Sequence, residues 1–328
     1  MGNLLMWFLH ERMSAMNLRQ LQTLITIADA GGFASAAGRL HLSQPAASRQ
    51  IQALEAELGV LLFDRIGRRL LLTSEGEDIV RRGRRLLQEA DSLRDRADAL
   101  KGGLTGTLRV GASPQNIETV LAPFVARFRS KHPGIEVHFV EDGGARISDR
   151  LAQGDVQIVL TSAGNELFFS RLLYPSYAMA VVAPSHPLGR RGSVDVSELA
   201  DEPLLLLQRG FGSRGWFDAA CHNADVRPPI VLESAAPHTL MALAANGEGV
   251  AIVPSNVSIP RKGVKAMSVT YRGTPIGRWV LVAWDRRRFF PSFAQHFVNE
   301  LVAHVHRDYP NRELTKGMPP LRRPKSSE

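Results

Sequence analysis

The chain reads as a mixed α/β protein in which a winged helix-turn-helix and one long helix precede a region of alternating strands and helices. Three patterns say so. Between Phe33 and Leu58 two apolar stripes at helical spacing flank a tight break. From Thr73 a proline-free stretch of about 28 residues repeats an apolar residue every seven positions. Beyond Gly106, short β-rich runs alternate with helical stretches, as βαβ units require.

Leu18, Leu21, Leu24, Ile25 and Ala28 form the apolar face of a first helix, which Gly31-Gly32 ends. Phe33, Ala36, Ala37 and Leu40 fall three and four apart and mark a second helix. His41 and Leu42 form the break, Ser43 is placed to cap the next helix, and Pro45 fits its first turn because no N–H is needed there. Ile51, Leu54 and Leu58 then face a core. Gln44, Ser48, Arg49 and Gln52 lie on the other face, with Ser43, Pro45 and Ala46 at its N-terminal end. Arg forks onto guanine O6/N7, Gln pairs with adenine N6/N7, and a helix N-terminus accepts a phosphate, so this face has the chemistry for a major groove. Periodicity alone fits an ordinary amphipathic helix pair equally well. Next, LLFDRIGRRLLLT reads as two strands around Gly67, a wing whose Arg65, Arg68 and Arg69 suit phosphates or a minor groove. A solvated charged turn is the alternative.

In the long helix Ile79, Leu86, Leu93 and Leu100 recur by seven, with Ala90 and Ala97 between them. That seam predicts a partner helix and hence a dimer, the alternative being packing on its own domain. Gly102-Gly103 and Gly106 form a hinge. The strand candidates that follow are TLRVGA, IEVHFV, VQIVL, AMAVVA, LLLL, IVLE, VAIV, KAMSV and WVLVAW. Helical stretches Ile117–Lys131, Arg146–Gln153, Trp216–Ala224, His238–Asn246 and Pro291–His306 lie between them. The last residues, 309–328, are polar and rich in proline and charge, and read as a disordered tail.

Leu18-Arg19-Gln20-Leu21, Phe33-Ala34-Ser35-Ala36-Ala37, Leu42-Ser43-Gln44-Pro45-Ala46-Ala47-Ser48 and Ile51-Gln52-Ala53-Leu54-Glu55 together resemble the LysR-type transcriptional regulators. Leu58-Gly59, Leu62-Phe63-Asp64-Arg65 and Leu72-Thr73-Ser74-Glu75-Gly76 continue the match, which is dense over about 16–80 and looser, but in order, to about 306. The resemblance implies a DNA-binding regulator from a bacterium, cytoplasmic, without a cofactor. It implies a winged helix-turn-helix over 16–75, a linker and dimerisation helix with hinge over 76–105, and an effector-binding domain over 106–308. That last domain would resemble periplasmic binding proteins, with one subdomain over about 107–180 and 279–306 and a second over about 181–278. The partners implied are double-stranded promoter DNA, a small-molecule effector, the chain itself as a dimer of dimers, and RNA polymerase. Family members open near the start codon, which makes Met16 an alternative start and residues 1–15 an extension.

In open α/β sheets ligands bind beyond the carboxyl ends of strands. Ser113, Gln115 and Asn116 follow the first strand of this region, Thr161 the third, Arg209 and Phe211 the run LLLL, and Ser234 and His238 the run IVLE. Their convergence would suit a small organic ligand, an anion in particular. Ser and Asn at helix starts are equally at home as caps. Some family members place a threonine after the second strand, where this chain has Gly143-Gly144. A second reading comes from Gly210-Phe211-Gly212-Ser213-Arg214-Gly215, a match to G-x-G-x-x-G after a strand, with Glu233 further on. It fits a dinucleotide-binding, oxidoreductase-like protein, although Phe211, Arg214 and Trp216 are bulky for close backbone approach.

The 328 residues carry a formal charge of +8, but the excess lies mainly outside the N-terminal segment: residues 16–101 are only +2 and 102–260 are −3, against +6 over 261–309. Basicity is therefore weak evidence for nucleic acid here. A single cysteine, Cys221, excludes an internal disulfide and any multi-cysteine metal site, and argues against the thiol-pair peroxide sensing of one family branch. No apolar run is long enough to span a membrane. Neither a G-x-S-x-G elbow nor an H-E-x-x-H helix occurs, so the chain is not expected to be an enzyme and no metal site is expected.

Overall fold

A computed structural model of the chain describes residues 16–66, 69–100 and 104–324, which divide into two units near Ala97. In the first, helix α1 (Leu18–Ala30) opens on a capping box: Asn17 Oδ1 accepts from Gln20 N at 3.0 Å and Gln20 Oε1 accepts from Asn17 N at 2.9 Å. Helix α2 (Phe33–Leu40) closes on His41 in the left-handed region, φ 52°, and the Leu42 N–H returns to Ala37 O. Helix α3 (Gln44–Leu58) starts at Ser43, whose Oγ accepts from Ala46 N at 3.3 Å, with Pro45 in the first turn as expected. Leu24, Ile27, Ala36, Ala47, Ile51 and Leu54 make the core.

Two polar locks fix this trihelical unit. The buried Thr23 hydroxyl bonds Gln50 Oε1 at 2.6 Å, tying α1 to α3. Glu55 Oε1 accepts the Leu62 and Phe63 N–H groups at 2.8 and 3.3 Å, which pins the root of the wing to α3. Strands β1 (Phe63–Ile66) and β2 (Arg69–Leu72) then pair antiparallel, Phe63 opposite Leu72 and Ile66 opposite Arg69. The long helix α4 (Ser74–Leu100) follows, its start capped by Thr73 Oγ1 accepting from Gly76 N at 2.9 Å. A Cβ at Gly76 would stand 2.1 Å from Leu62 O, so the close passage of α4 over the wing's root requires glycine there.

The second unit is α/β. Its elements are β3 (Gly106–Ala112), α5 (Ala122–Lys131), β4 (Ile135–Glu141), α6 (Gly144–Gln153), β5 (Ile158–Thr161), β6 (Phe168–Val182), β7 (Ser193–Asp195), β8 (Leu204–Leu207), α7 (Gly212–Ala224), β9 (Ile230–Ser234), α8 (Pro237–Ala245), β10 (Val250–Pro254), β11 (Lys265–Tyr271), β12 (Thr274–Pro275), β13 (Gly277–Asp285), α9 (Ser292–Arg307) and α10 (Arg312–Thr315). A helical turn at Pro114–Asn116 and a π-helical stretch at Ile117–Leu121 lead into α5. Strands β4, β3 and β5 are parallel, and β13 joins β5 antiparallel. Strand β6 pairs with β13 as far as Tyr177, then with β10 and β11 from Ala178 onward. Strands β10, β8 and β9 complete a second parallel set. The chain therefore crosses between two sheet regions at β6 and at β13. The first region is packed on Phe124, Phe128 and Phe297, and the second is covered by α7 on one face and α8 on the other.

The tail corrects a sequence expectation. Residues 309–324 are not a disordered appendix but pack on the crossover strands. Tyr309 stacks on Tyr174 with centroids 5.7 Å apart, Asn311 Nδ2 donates to Ser255 O at 2.7 Å, Tyr177 OH donates to Pro319 O at 3.3 Å, and Trp279 Nε1 donates to Leu321 O at 3.3 Å. Met318 and Leu321 join the apolar cluster around Leu240. Composition misled because four spaced anchors suffice to hold a polar segment.

Candidate functional site

In the first unit the α3 face opposite the core is open. Ser43, Gln44, Pro45, Arg49 and Gln52 are exposed, while Ala46 and Ser48 are half-buried. Among the described residues Arg49 has no hydrogen-bond or ion-pair partner, and neither do the Gln44 and Gln52 side chains. Burial of Ala47, Ile51 and Leu54 on the opposite stripe turns these donors outward. Arg65 and Arg69 lie on the paired strands β1 and β2, and Arg68 lies outside the described residues. On α4, Ile79 packs on the unit's core, whereas the next seam positions stand out: Leu86 is 49% and Leu93 71% exposed. Ala90 is half-buried and Ala97 exposed.

In the second unit a cleft of about 690 Å³ opens at the carboxyl ends of β3, β5 and β8. Ser113, Gln115, Asn116, Thr161, Arg209 and Phe211 all line it, six of the eight residues expected there. Ser234 and His238 do not. Ser234 Oγ instead accepts from Ala236 N at 3.1 Å, and His238 Nε2 lies 3.1 Å from Glu118 Oε2 on the exterior. Ser234 is thus spent on its own turn and His238 on a carboxylate of the π-helical stretch.

The cleft floor is a polar network. Tyr174 OH donates to Asn116 Oδ1 at 2.7 Å, Asn256 Nδ2 donates to the same oxygen at 2.6 Å, and Thr119 Oγ1 reaches Asn256 O at 2.9 Å. Full burial pushes the Tyr174 hydroxyl far above its ordinary value, so it is a neutral donor at any working pH. Ser113 Oγ caps the turn by accepting from Asn116 N, and Thr161 Oγ1 accepts from Ala163 N at 3.1 Å. Gln115 differs from these. It is 4% exposed and lines the cleft, yet its Nε2 has no partner among the described residues. Arg209 and Arg278 are exposed cations on the rim without an ion pair among the described residues. Asn256, Ser176, Ser162, Trp216 and Arg278 were missed by sequence reasoning. Asn256 follows the end of β10 as Thr161 ends β5, and that signal was available; Ser176 and Arg278 sit on crossover strands, whose facing the sequence pattern does not fix.

The glycine loop turns out to be a close-approach device. A Cβ on Gly144, φ 47°, would meet Gly210 O at 1.7 Å, and one on Gly212 would meet Ser162 Oγ at 2.9 Å. Gly143-Gly144 thus lets the β4–α6 loop abut the 210–212 loop across the cleft. Arg214 is buried, with Nε donating to Asp218 at 2.7 Å, a terminal NH donating to Leu207 O at 2.7 Å, and the same nitrogen bonding Glu233. The carboxylate that a dinucleotide reading reserves for a ribose is therefore committed to a structural arginine, which corrects that reading. Among the described residues no cluster of His, Cys, Asp and Glu is placed to hold a metal, and no helix is long and apolar enough to cross a membrane.

Comparison with known proteins agrees with both halves. Residues 18–77 match the bacterial regulatory helix-turn-helix protein, lysR family, and residues 101–306 match the LysR substrate binding domain. The chain is 27% identical over 292 residues to the HTH-type transcriptional regulator YybE of Bacillus subtilis, covering 88% of this chain and 99% of that protein. It is 29% identical over 245 residues to the HTH-type transcriptional regulator CysB of Haemophilus influenzae, covering 73% and 76%. Among solved structures, a full-length OxyR variant from Pseudomonas aeruginosa superposes with a TM-score of 0.65 at 25% identity, covering 90% of this chain and 96% of that one. Full-length CbnR complexed with its target DNA gives 0.63 at 26% identity, covering 89% and 99%. None of these supports an oxidoreductase. The chain belongs to the LysR family, and is a DNA-binding transcriptional regulator with a C-terminal effector-binding domain.

Proposed function

We propose that the chain binds promoter DNA as a dimer or dimer of dimers, with Ser43, Gln44, Ser48, Arg49 and Gln52 in the major groove, and that a small organic anion in the 690 Å³ cleft controls it. The DNA half is supported by the outward Gln44, Arg49 and Gln52 side chains of α3, which have no partner among the described residues, and by the CbnR relative solved on its target DNA. Dimerisation is supported by the exposed Leu86 and Leu93, which are seven apart. Arg65, Arg68 and Arg69 supply phosphate contacts.

The observation that carries the effector half is Gln115. A buried amide N–H₂ without a partner costs about 1–3 kcal/mol unless something accepts from it. An acceptor oxygen on the ligand removes that cost, and the rim cations Arg209 and Arg278 favour a carboxylate. Ser113, Asn116, Thr161 and Phe211 shape the remaining walls. Binding then shifts the population of two arrangements by its differential affinity for them.

A thermal-shift screen of small carboxylates on the full chain, with Gln115→Leu in parallel, tests this. One carboxylate should raise the melting temperature of the unaltered chain, with at least about tenfold weaker binding to Gln115→Leu. The unliganded variant should melt no lower, because its orphan donor is gone. Equal binding to both proteins, or no response to any carboxylate, contradicts the proposal.

A further inference from the structure

A second, larger cavity of about 1150 Å³ lies away from the effector cleft, between the carboxyl-terminal end of α9, the segment 308–314 and the loop 259–266. Five cations line it: Arg127, Arg261, Lys265, Arg307 and Arg312. The only acids among its lining residues are Asp308 and Glu313, and Glu313 is engaged with Lys316 at 3.7 Å. Arg307 and Arg312 are oriented by main-chain carbonyls, Ala303 O and Arg307 O, rather than by carboxylates. Among the described residues Arg127, Arg261 and Lys265 have no ion pair at all. His304, also in the lining and packed on Phe124, is held below its ordinary value by burial and then by the positive charge of Arg127 and Arg307. The cavity thus concentrates uncompensated positive charge from both sheet regions, and the packed tail forms one of its walls.

We propose that this cavity is a second ligand site, for a compact polyanion of the phosphate class. Guanidinium groups match phosphate oxygens bidentately, and several cations from separate elements favour a multiply charged anion over a single carboxylate. The site is linked to the cleft by direct contacts. Tyr309 lines the cavity and stacks on Tyr174, whose hydroxyl bonds the cleft residue Asn116. Thr119 lines the cavity and bonds Asn256 O beneath the cleft. An anion joining Arg307 and Arg312 to Arg261 and Lys265 therefore bridges the end of α9 and the segment after it to the 259–266 loop.

The test is calorimetric titration of inorganic pyrophosphate into the full chain at fixed ionic strength, comparing the unaltered protein with Arg261→Ala/Lys265→Ala. These two side chains are exposed, so the double variant folds, which circular dichroism checks. Saturable binding that weakens at least tenfold in the double variant, yet persists in Arg278→Ala and in Arg49→Ala, supports the site. Loss in Arg278→Ala would move the anion to the effector cleft, and loss in Arg49→Ala would move it to the DNA-binding face. Either result overturns the proposal, as does equal binding to the double variant or heat that sodium chloride at the same ionic strength reproduces.

Discussion

Arg49, Cys221 and Asp285 occupy three electrostatic settings that separate what each can do. Arg49 is exposed and unpaired among the described residues, so its fork is available to a base edge at little cost. Cys221 is buried against α7's own core, and burial together with the Asp218 carboxylate pushes its thiol up to about 11. At neutral pH it is a thiol and a poor nucleophile. Iodoacetamide at pH 7 should label it only after denaturation, and peroxide should leave DNA binding unchanged; rapid stoichiometric labelling of the native protein would refute this. Asp285, at the end of β13, is buried, and that burial alone would raise its pKa. Bonds from Arg287 Nε at 2.9 Å and a terminal nitrogen at 2.7 Å, with Arg288 nearby, outweigh it and hold the carboxyl below its usual value. Its folded-state value lies below the unfolded one, so the stability it contributes is present above about pH 4 and is lost as pH falls through the folded value. Asp285→Asn should cost about 1.5–3 kcal/mol at neutral pH in urea unfolding, and should flatten the loss of stability on acidification. An unchanged acid limb would show that other carboxylates govern it. At this scale the sequence revealed the helix-start residues around the cleft, because position after a strand is visible in one dimension. It concealed that Gln115 lacks a partner, since an unpaired donor is a property of everything packed around it.

The helices of the first unit follow their caps. Asn17, Ser43 and Thr73 each precede a helix and each accept from its first turn, and Ser43 with Pro45 was readable directly from the sequence. The α4 seam was readable too, because a seven-residue repeat needs no knowledge of a partner. Its first position, Ile79, packs on the core of its own unit, while Leu86 and Leu93 are left to solvent. Leu86→Lys/Leu93→Lys should therefore convert the chain to a monomer by light scattering with helix content retained; an unaltered oligomeric state would place the interface elsewhere. The tail could not be read, because Tyr309, Asn311, Met318 and Leu321 are too sparse to form a period and their partners are remote in sequence: Tyr174 on β6 for Tyr309, Ser255 after β10 for Asn311 and Trp279 on β13 for Leu321. Strand β6 shows the same limit: its start at Phe168 and its change of partners at Tyr177 depend on β13, not on its own residues.

Over the whole chain, function is divided between two units with different recognition chemistry. One presents an outward polar stripe over a small apolar core, held rigid by Thr23–Gln50 and by Glu55 at the wing's root. The other encloses a cleft whose floor is a neutral hydrogen-bonded network and whose rim carries the exposed Arg209 and Arg278. Sequence readout by α3 is tested by the binding of the full chain to the DNA upstream of its own gene, across a salt series and against random DNA. A specific site should be found that Arg49→Ala weakens by about 1–3 kcal/mol, with the preference over random DNA reduced and a salt slope close to that of the unaltered protein. Binding that is equally strong on random DNA and indifferent to Arg49→Ala would contradict it, since charge alone would then account for the affinity.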